Sequence, residues 1–231
     1  MGFLNWKKLT GIAIVFLPYM LNAQISVFSF SFSSGPSFPV GNFKKTNFEN
    51  GSFALTGVSF AFESEYSAFE KLGFGLRVNV NFHPVDVPAL IREELNRDPF
   101  LLDLNIRSEP YQSLQLFAGA IYHADMLDGL TWNAGIYLGV CQAKSPYKLY
   151  EAEYFLLGEQ TYRITSSGDI KPSALVSGGL DYLIKPYFSL HAGTEFSYTP
   201  VEFGFVTAQS RRVEDHDFMF LNVLAGFRVY L

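Results

Sequence analysis

The chain has 231 residues, a length that suits one domain or one small barrel. Aromatic side chains make up 17% of it, with 24 Phe and 13 Tyr, charged residues are held to the same 17%, and the mean hydropathy of +0.13 is too low for a bundle of membrane-spanning helices. The formal charge of −5, with no basic stripe, argues against a nucleic-acid partner, and the single cysteine, Cys141, excludes an intramolecular disulfide.

In chain order, residues 1–23 read as a secretory signal peptide and 24–231 as one barrel domain. Lys7 and Lys8 precede an apolar run over 9–21, and Leu21-Asn22-Ala23 places a small residue at the cut. The run is short for a membrane anchor and carries Pro18. Gln24, not an acylatable cysteine, follows the cut. Removing this segment leaves 15 basic against 22 acidic side chains, a net charge of −7.

The mature part alternates with a period of two, the mark of half-buried strands. Over 25–33, Phe28, Phe30 and Phe32 oppose Ser29, Ser31 and Ser33. Over 56–63, Val58, Phe60 and Phe62 oppose Gly57, Ser59 and Ala61. Leu72–His83 sets Leu72, Phe74, Leu76, Val78, Val80 and Phe82 against Gly73, Gly75, Arg77, Asn79, Asn81 and His83. The stretch 114–122 is less polarised, with Phe117 and Ile121 beside Gln115 and Gly119 on its second face. Over 130–141, Trp132, Ile136 and Leu138 oppose Asn133, Gly135, Tyr137 and Cys141. The stretches 174–184, 188–198 and 218–231 complete eight predicted strands, with Asp181, then His191 and Glu195, then Arg228 on their smaller faces.

One face of these strands is bulky and apolar; the other holds Gly, Ser, Asn and a few charges. Such small residues suit the crowded lumen of a narrow barrel better than a solvated surface. The connections after odd strands are long (34–53, 83–112, 143–173, 199–217) and those after even strands are short, ending in Lys185-Pro186-Tyr187. Long external loops and short periplasmic turns have this order. Phe82, Trp132, Tyr182, Phe188, Tyr198, Phe218 and Tyr230 lie near strand ends, where interfacial girdles form. The predicted fold is therefore all-β: a membrane-embedded, up-and-down antiparallel barrel of eight strands. Ten remains open, because 102–107 and 147–165 also have strand-like stretches. Between them, 87–97 predicts a helix capped by Asp86, with Pro88 in its first turn.

Several segments resemble the small eight-stranded outer-membrane β-barrels of Gram-negative bacteria, the family that includes outer-membrane protein A. Gly35-Pro36-Ser37-Phe38-Pro39-Val40-Gly41-Asn42-Phe43 looks like the first loop common there. Leu116 to Tyr122, Gly178-Gly179-Leu180-Asp181-Tyr182 and the closing Ala225-Gly226-Phe227-Arg228-Val229-Tyr230-Leu231 resemble a middle, the sixth and the last strand. This chain ends on Leu where the family usually ends on Phe. The resemblance implies residence in the bacterial outer membrane among lipid and lipopolysaccharide, and insertion by the barrel-assembly machinery. It implies little about function.

By parity, Arg77, Asp181, His191, Glu195 and Arg228 face the lumen, where they read as a structural ion-pair network, since charges held inside need partners. Ser189, His191 and Glu195 share a face but lack the order of a barrel hydrolase, and no Gly-x-Ser-x-Gly occurs. Glu214-Asp215-His216-Asp217 could hold a divalent ion, although a solvated acidic loop beside Arg211 and Arg212 is the simpler reading. Cys141 reads as a small inward strand residue. No cofactor motif is found. The expectation is a non-enzymatic barrel with a filled lumen, acting in envelope structure or binding a protein through its external loops. A narrow solute channel and an accessory barrel of a secretion complex are the alternatives.

Overall fold

The computed structural model describes residues 28–48, 51–206 and 211–231. The segment read as an export signal lies outside these residues.

In chain order the described elements are β1 (Phe28–Pro39), β2 (Gly57–Phe69), β3 (Leu72–His83), α1 (Val87–Arg97), β4 (Leu101–Ser108), β5 (Tyr111–Leu127), β6 (Leu130–Lys144), β7 (Lys148–Tyr154), β8 (Gly158–Ile164), β9 (Gly168–Lys185), β10 (Phe188–Val206) and β11 (Arg211–Tyr230). Eight strands close into an antiparallel barrel in the order β1-β2-β3-β5-β6-β9-β10-β11, and β11 returns to β1 with Ser31 opposite Arg228. Closure satisfies every strand edge, which a sheet in lipid requires.

Alternation is expressed as predicted. Large apolar side chains such as Phe32, Phe60, Leu76, Leu116, Leu138 and Val176 stand exposed on the outer wall, while Ser33, Ser59, Asn79, Gln115 and Ser197 are buried inside. So wide an apolar belt has no place on an aqueous surface; it faces lipid, and the barrel spans the membrane. The glycines of the inner wall make room for their bulky neighbours. A Cβ on Gly119 or Gly135 would lie 2.5 Å from the ring of Tyr137. Short turns join the strands at one end, where Gly129 takes φ 78° between β5 and β6.

The other end differs from expectation. The strand-like stretches at 102–107 and 147–165 do not enlarge the barrel to ten strands. They form β4, β7 and β8, a separate three-stranded sheet in the order β4-β7-β8. Its inner face (Leu104, Ile106, Tyr150, Ala152) and Leu90 of α1 share one core with Phe43, Phe203, Phe218 and Phe220 of the barrel. The α1 prediction holds: Asp86 Oδ1 accepts the Ala89 N–H at 3.0 Å. The last predicted loop, 199–217, is mostly strand. β10 and β11 run 19 and 20 residues, well beyond the roughly 9–11 that cross a bilayer. Their mutual pairing continues above the membrane, and the sheet and helix pack on that wall as a cap.

Candidate functional site: the filled lumen and its capped mouth

The lumen is occupied in layers. Nearest the turn end lies a charged layer. Arg77 Nη1 donates to Glu63 at 2.7 Å and its Nη2 to Glu195, while Asn79 Nδ2 donates to Glu195 at 2.9 Å. Arg228 donates to Glu65 at 2.5 Å and to Glu63 at 3.0 Å. Asp181 accepts from Asn133 at 2.8 Å and lies 2.8 Å from His191 Nδ1. His123 Nε2 stands 2.5 Å from Glu65, and the Tyr137 hydroxyl donates to Glu63 at 2.7 Å. Arg77 thus bridges carboxylates of β2 and β10, and Arg228 holds two carboxylates of β2 with Asp181 of β9 at 3.7 Å; buried charge is repaid by multiple charge-assisted hydrogen bonds.

Above it lies a neutral layer. Asn81 donates to Ser113 at 3.1 Å, Gln115 to Ser197 at 3.0 Å, and Ser173 sits 2.7 Å from Thr199. Phe117, Ile121, Tyr137 and Leu175 fill the space between the polar groups. The outer mouth is closed by aromatic rings. A short helical turn, Gly41–Lys44, swings Phe43 into the opening. There its ring centroid lies 4.5 Å from Phe218, 5.4 Å from Tyr111 and 5.1 Å from His83. His83 is tied to Ser37 at 2.8 Å.

All five residues predicted to face the lumen do so: Arg77, Asp181, Glu195 and Arg228 are buried and His191 is half-buried. They form one connected network. Sequence reasoning missed Glu63 and Glu65, although they continue the parity of Gly57, Ser59 and Ala61. It also missed His123, which continues that of Gly119 and Ile121. Phe43 gave no periodic signal, because it sits on a turn. Two predicted girdle residues point inward instead. Phe218 belongs to the plug, and Tyr230 lies 3.2 Å from Ser189 within the lumen. Trp132, Tyr182 and Tyr198 face outward as expected.

Ser189, His191 and Glu195 do not act on one another: their partners are Tyr230, Asp181 and Arg77. The acidic run at 214–217 lies in β11, not in a loop, and alternation divides it between two faces. Glu214 lies 3.4 Å from His216, whereas Asp217 accepts from Asn42 at 3.3 Å and from the Tyr198 hydroxyl at 3.3 Å. Cys141 is fully buried on the inner wall.

Above the plug the cap encloses a cavity of about 540 Å³ between α1, β7, β8 and the wall of β10 and β11. Lys148 projects into it. Burial pushes its ammonium below the ordinary lysine value, against the opposing effect of the Glu214 and Glu94 carboxylates. The cap also displays an apolar tip: between β7 and β8, Phe155, Leu156 and Leu157 are 71%, 77% and 70% exposed. The tip is tied to Phe100 through the Phe155 N–H at 3.0 Å.

No family model and no curated protein matches the sequence. Solved structures do. Neisserial surface protein A is similar at 15% identity, over 89% of this chain and 99% of that one, with a TM-score of 0.47. A major outer membrane protein from Thermus thermophilus is similar at 13% identity, over 90% of this chain and 100% of that one, with a TM-score of 0.49. Ail, the attachment invasion locus protein of Yersinia pestis, is similar at 14% identity, over 88% and 97%, with a TM-score of 0.39. The closed eight-stranded ring, its lipid-facing belt, and the short turns at one end against elaborated connections at the other are the features of an outer-membrane β-barrel.

Proposed function

We propose that this chain, an eight-stranded β-barrel with the fold of the small outer-membrane barrels, is a non-enzymatic protein whose lumen is closed and whose working surface is the external cap. The observation that carries this reading is the unbroken filling of the lumen, from the Arg77–Glu63 layer through the Gln115 layer to the Phe43 plug. A path for solutes would require several of these groups to leave together. Each guanidinium would then abandon two carboxylates in a space where water cannot replace them, a cost of several kcal/mol per ion.

Function then falls to the outer end, where a rigid scaffold presents an ordered sheet, a helix and an apolar tip. Contiguous exposed apolar side chains on an ordered surface mark contact sites, and Phe155, Leu156 and Leu157 fit a protein partner at the cell surface. In this reading lipid and lipopolysaccharide surround the belt, and the barrel-assembly machinery acts on β11 during insertion. Planar-bilayer recording on the refolded protein tests the closed lumen: no stable open conductance is expected. A reproducible unitary conductance would instead make the protein a narrow channel.

A further inference from the structure

The cap cavity ends blindly. Its floor is the plug, because Tyr111 lines the cavity while packing edge-on against Phe43 and Phe218, at 5.4 Å and 5.7 Å. It is therefore a chamber and not the vestibule of a pore. Its volume, about 540 Å³, lies within the range of roughly 300–1,000 Å³ that small-molecule sites occupy. Leu90, Tyr150 and Phe203 give it buried apolar and aromatic walls.

The polar groups of the chamber sort by their partners. Glu214 lies 3.4 Å from His216 Nε2, and His216 Nδ1 lies 2.8 Å from Ser52 Oγ. Glu94 and Glu214 have further interactions of their own. Lys148 differs. Among the described residues no hydrogen bond or close ion pair engages its ammonium, and only the more distant charges of Glu214 and Glu94 act on it. Lys148 is half-buried; a cation partly withdrawn from water without a hydrogen-bonded anion is costly, and an anionic ligand would supply that anion. Arg97 and Arg163 are exposed lining residues that add two cations at the rim, where one exposed carboxylate, Asp215, also lies.

We propose that the chamber binds a small amphipathic carboxylate, with Lys148 receiving the carboxylate and Leu90, Tyr150 and Phe203 receiving an apolar or aromatic body. Arg97 and Arg163 draw the anion to the rim. A ligand with a cationic head would place its charge against Lys148 and is disfavoured. This inference rests on the reading of the cap as the working surface. It does not depend on the conductance result, so the two can fail separately.

Phenylpropanoate and phenylpropylamine share one body and differ in the sign of the head. Each is titrated into the refolded full-length protein in micelles, with amide resonances as the readout. The carboxylate is expected to give saturable shifts centred on Lys148, Tyr150 and Leu90, and the amine at least about tenfold weaker binding, a difference of roughly 1.4 kcal/mol. Lys148→Gln should weaken carboxylate binding by a similar factor while leaving heat-modifiable migration and the barrel amides unchanged, and Lys148→Arg should retain it. Equal or stronger binding of the amine, undiminished carboxylate binding in Lys148→Gln, or no saturable shift with either probe would overturn the proposal.

Discussion

Arg77 illustrates how a single side chain holds the lumen. It bridges Glu63, its cross-strand neighbour, to Glu195 on the far side of the barrel. Replacing it with Met leaves two buried carboxylates short of a partner, so Arg77→Met should cost about 3–5 kcal/mol. That loss would be read as a lower urea midpoint for the heat-modifiable form. Adding Glu195→Gln should cost less than the sum of the two single changes, because the residues share one network. Parity alone assigned Arg77, Asp181, His191, Glu195 and Arg228 to the inside. Which acid meets which base was not legible, since Arg77 and Glu195 lie 118 positions apart and meet only on closure. Lys148 makes a second residue-scale case. Its folded proton is lost at lower pH than the ordinary value of 10.5. Between the lowered value and 10.5 the unfolded chain binds more protons, so this lysine's contribution to stability rises with pH across that window. Anion binding runs the opposite way, because the charge leaves as pH rises through the lowered value. Phenylpropanoate affinity should therefore fall toward alkaline pH in the native protein and stay level in Lys148→Arg, whose guanidinium does not titrate there.

Among the elements, α1 and the barrel strands were the most legible. An Asp cap, a proline in the first turn and a terminal Arg97 are local signals, and the helix spans the predicted residues. Asp86→Ala should destabilise it by about 1 kcal/mol, seen as faster amide exchange in α1 with the barrel amides unaffected. β4, β7 and β8 were harder to place. Their alternation was visible, but a strand carries no mark of which sheet it joins, and the length of 102–107 fitted either a taller barrel or a hairpin. The cap pairing, Ile106 opposite Tyr150 and Tyr150 opposite Tyr162, is a choice made between two insertions far apart in the chain. Barrel pairings β5–β6 and β6–β9 do not use these strands. Replacing residues 146–166 with a short turn should accordingly preserve heat-modifiable folding; its loss would show that the cap is needed to close the barrel.

For the molecule as a whole, the asymmetry of the two ends sets its orientation. With the turn end periplasmic, the Phe155-Leu156-Leu157 tip stands outside the cell. Leu156→Cys in a Cys141→Ser background should react with a membrane-impermeant maleimide on intact cells, and a cysteine at Asp128, in the β5–β6 turn, should react only after lysis. The reverse pattern would invert the reading. Alternation by itself determined that the chain forms half-buried strands, which face is bulky and which residues line the lumen. It could do so because successive side chains on a strand point to opposite sides wherever that strand is placed. The order of long and short connections likewise set the expected direction of the barrel, which the labelling experiment tests. Only the tertiary structure decided that Phe43 plugs the mouth against Phe218, that the extra strands form a separate cap sheet, and that Lys148 lines the cap cavity. Those contacts join residues that no local period relates, and they exist only once the barrel wall has closed to hold them.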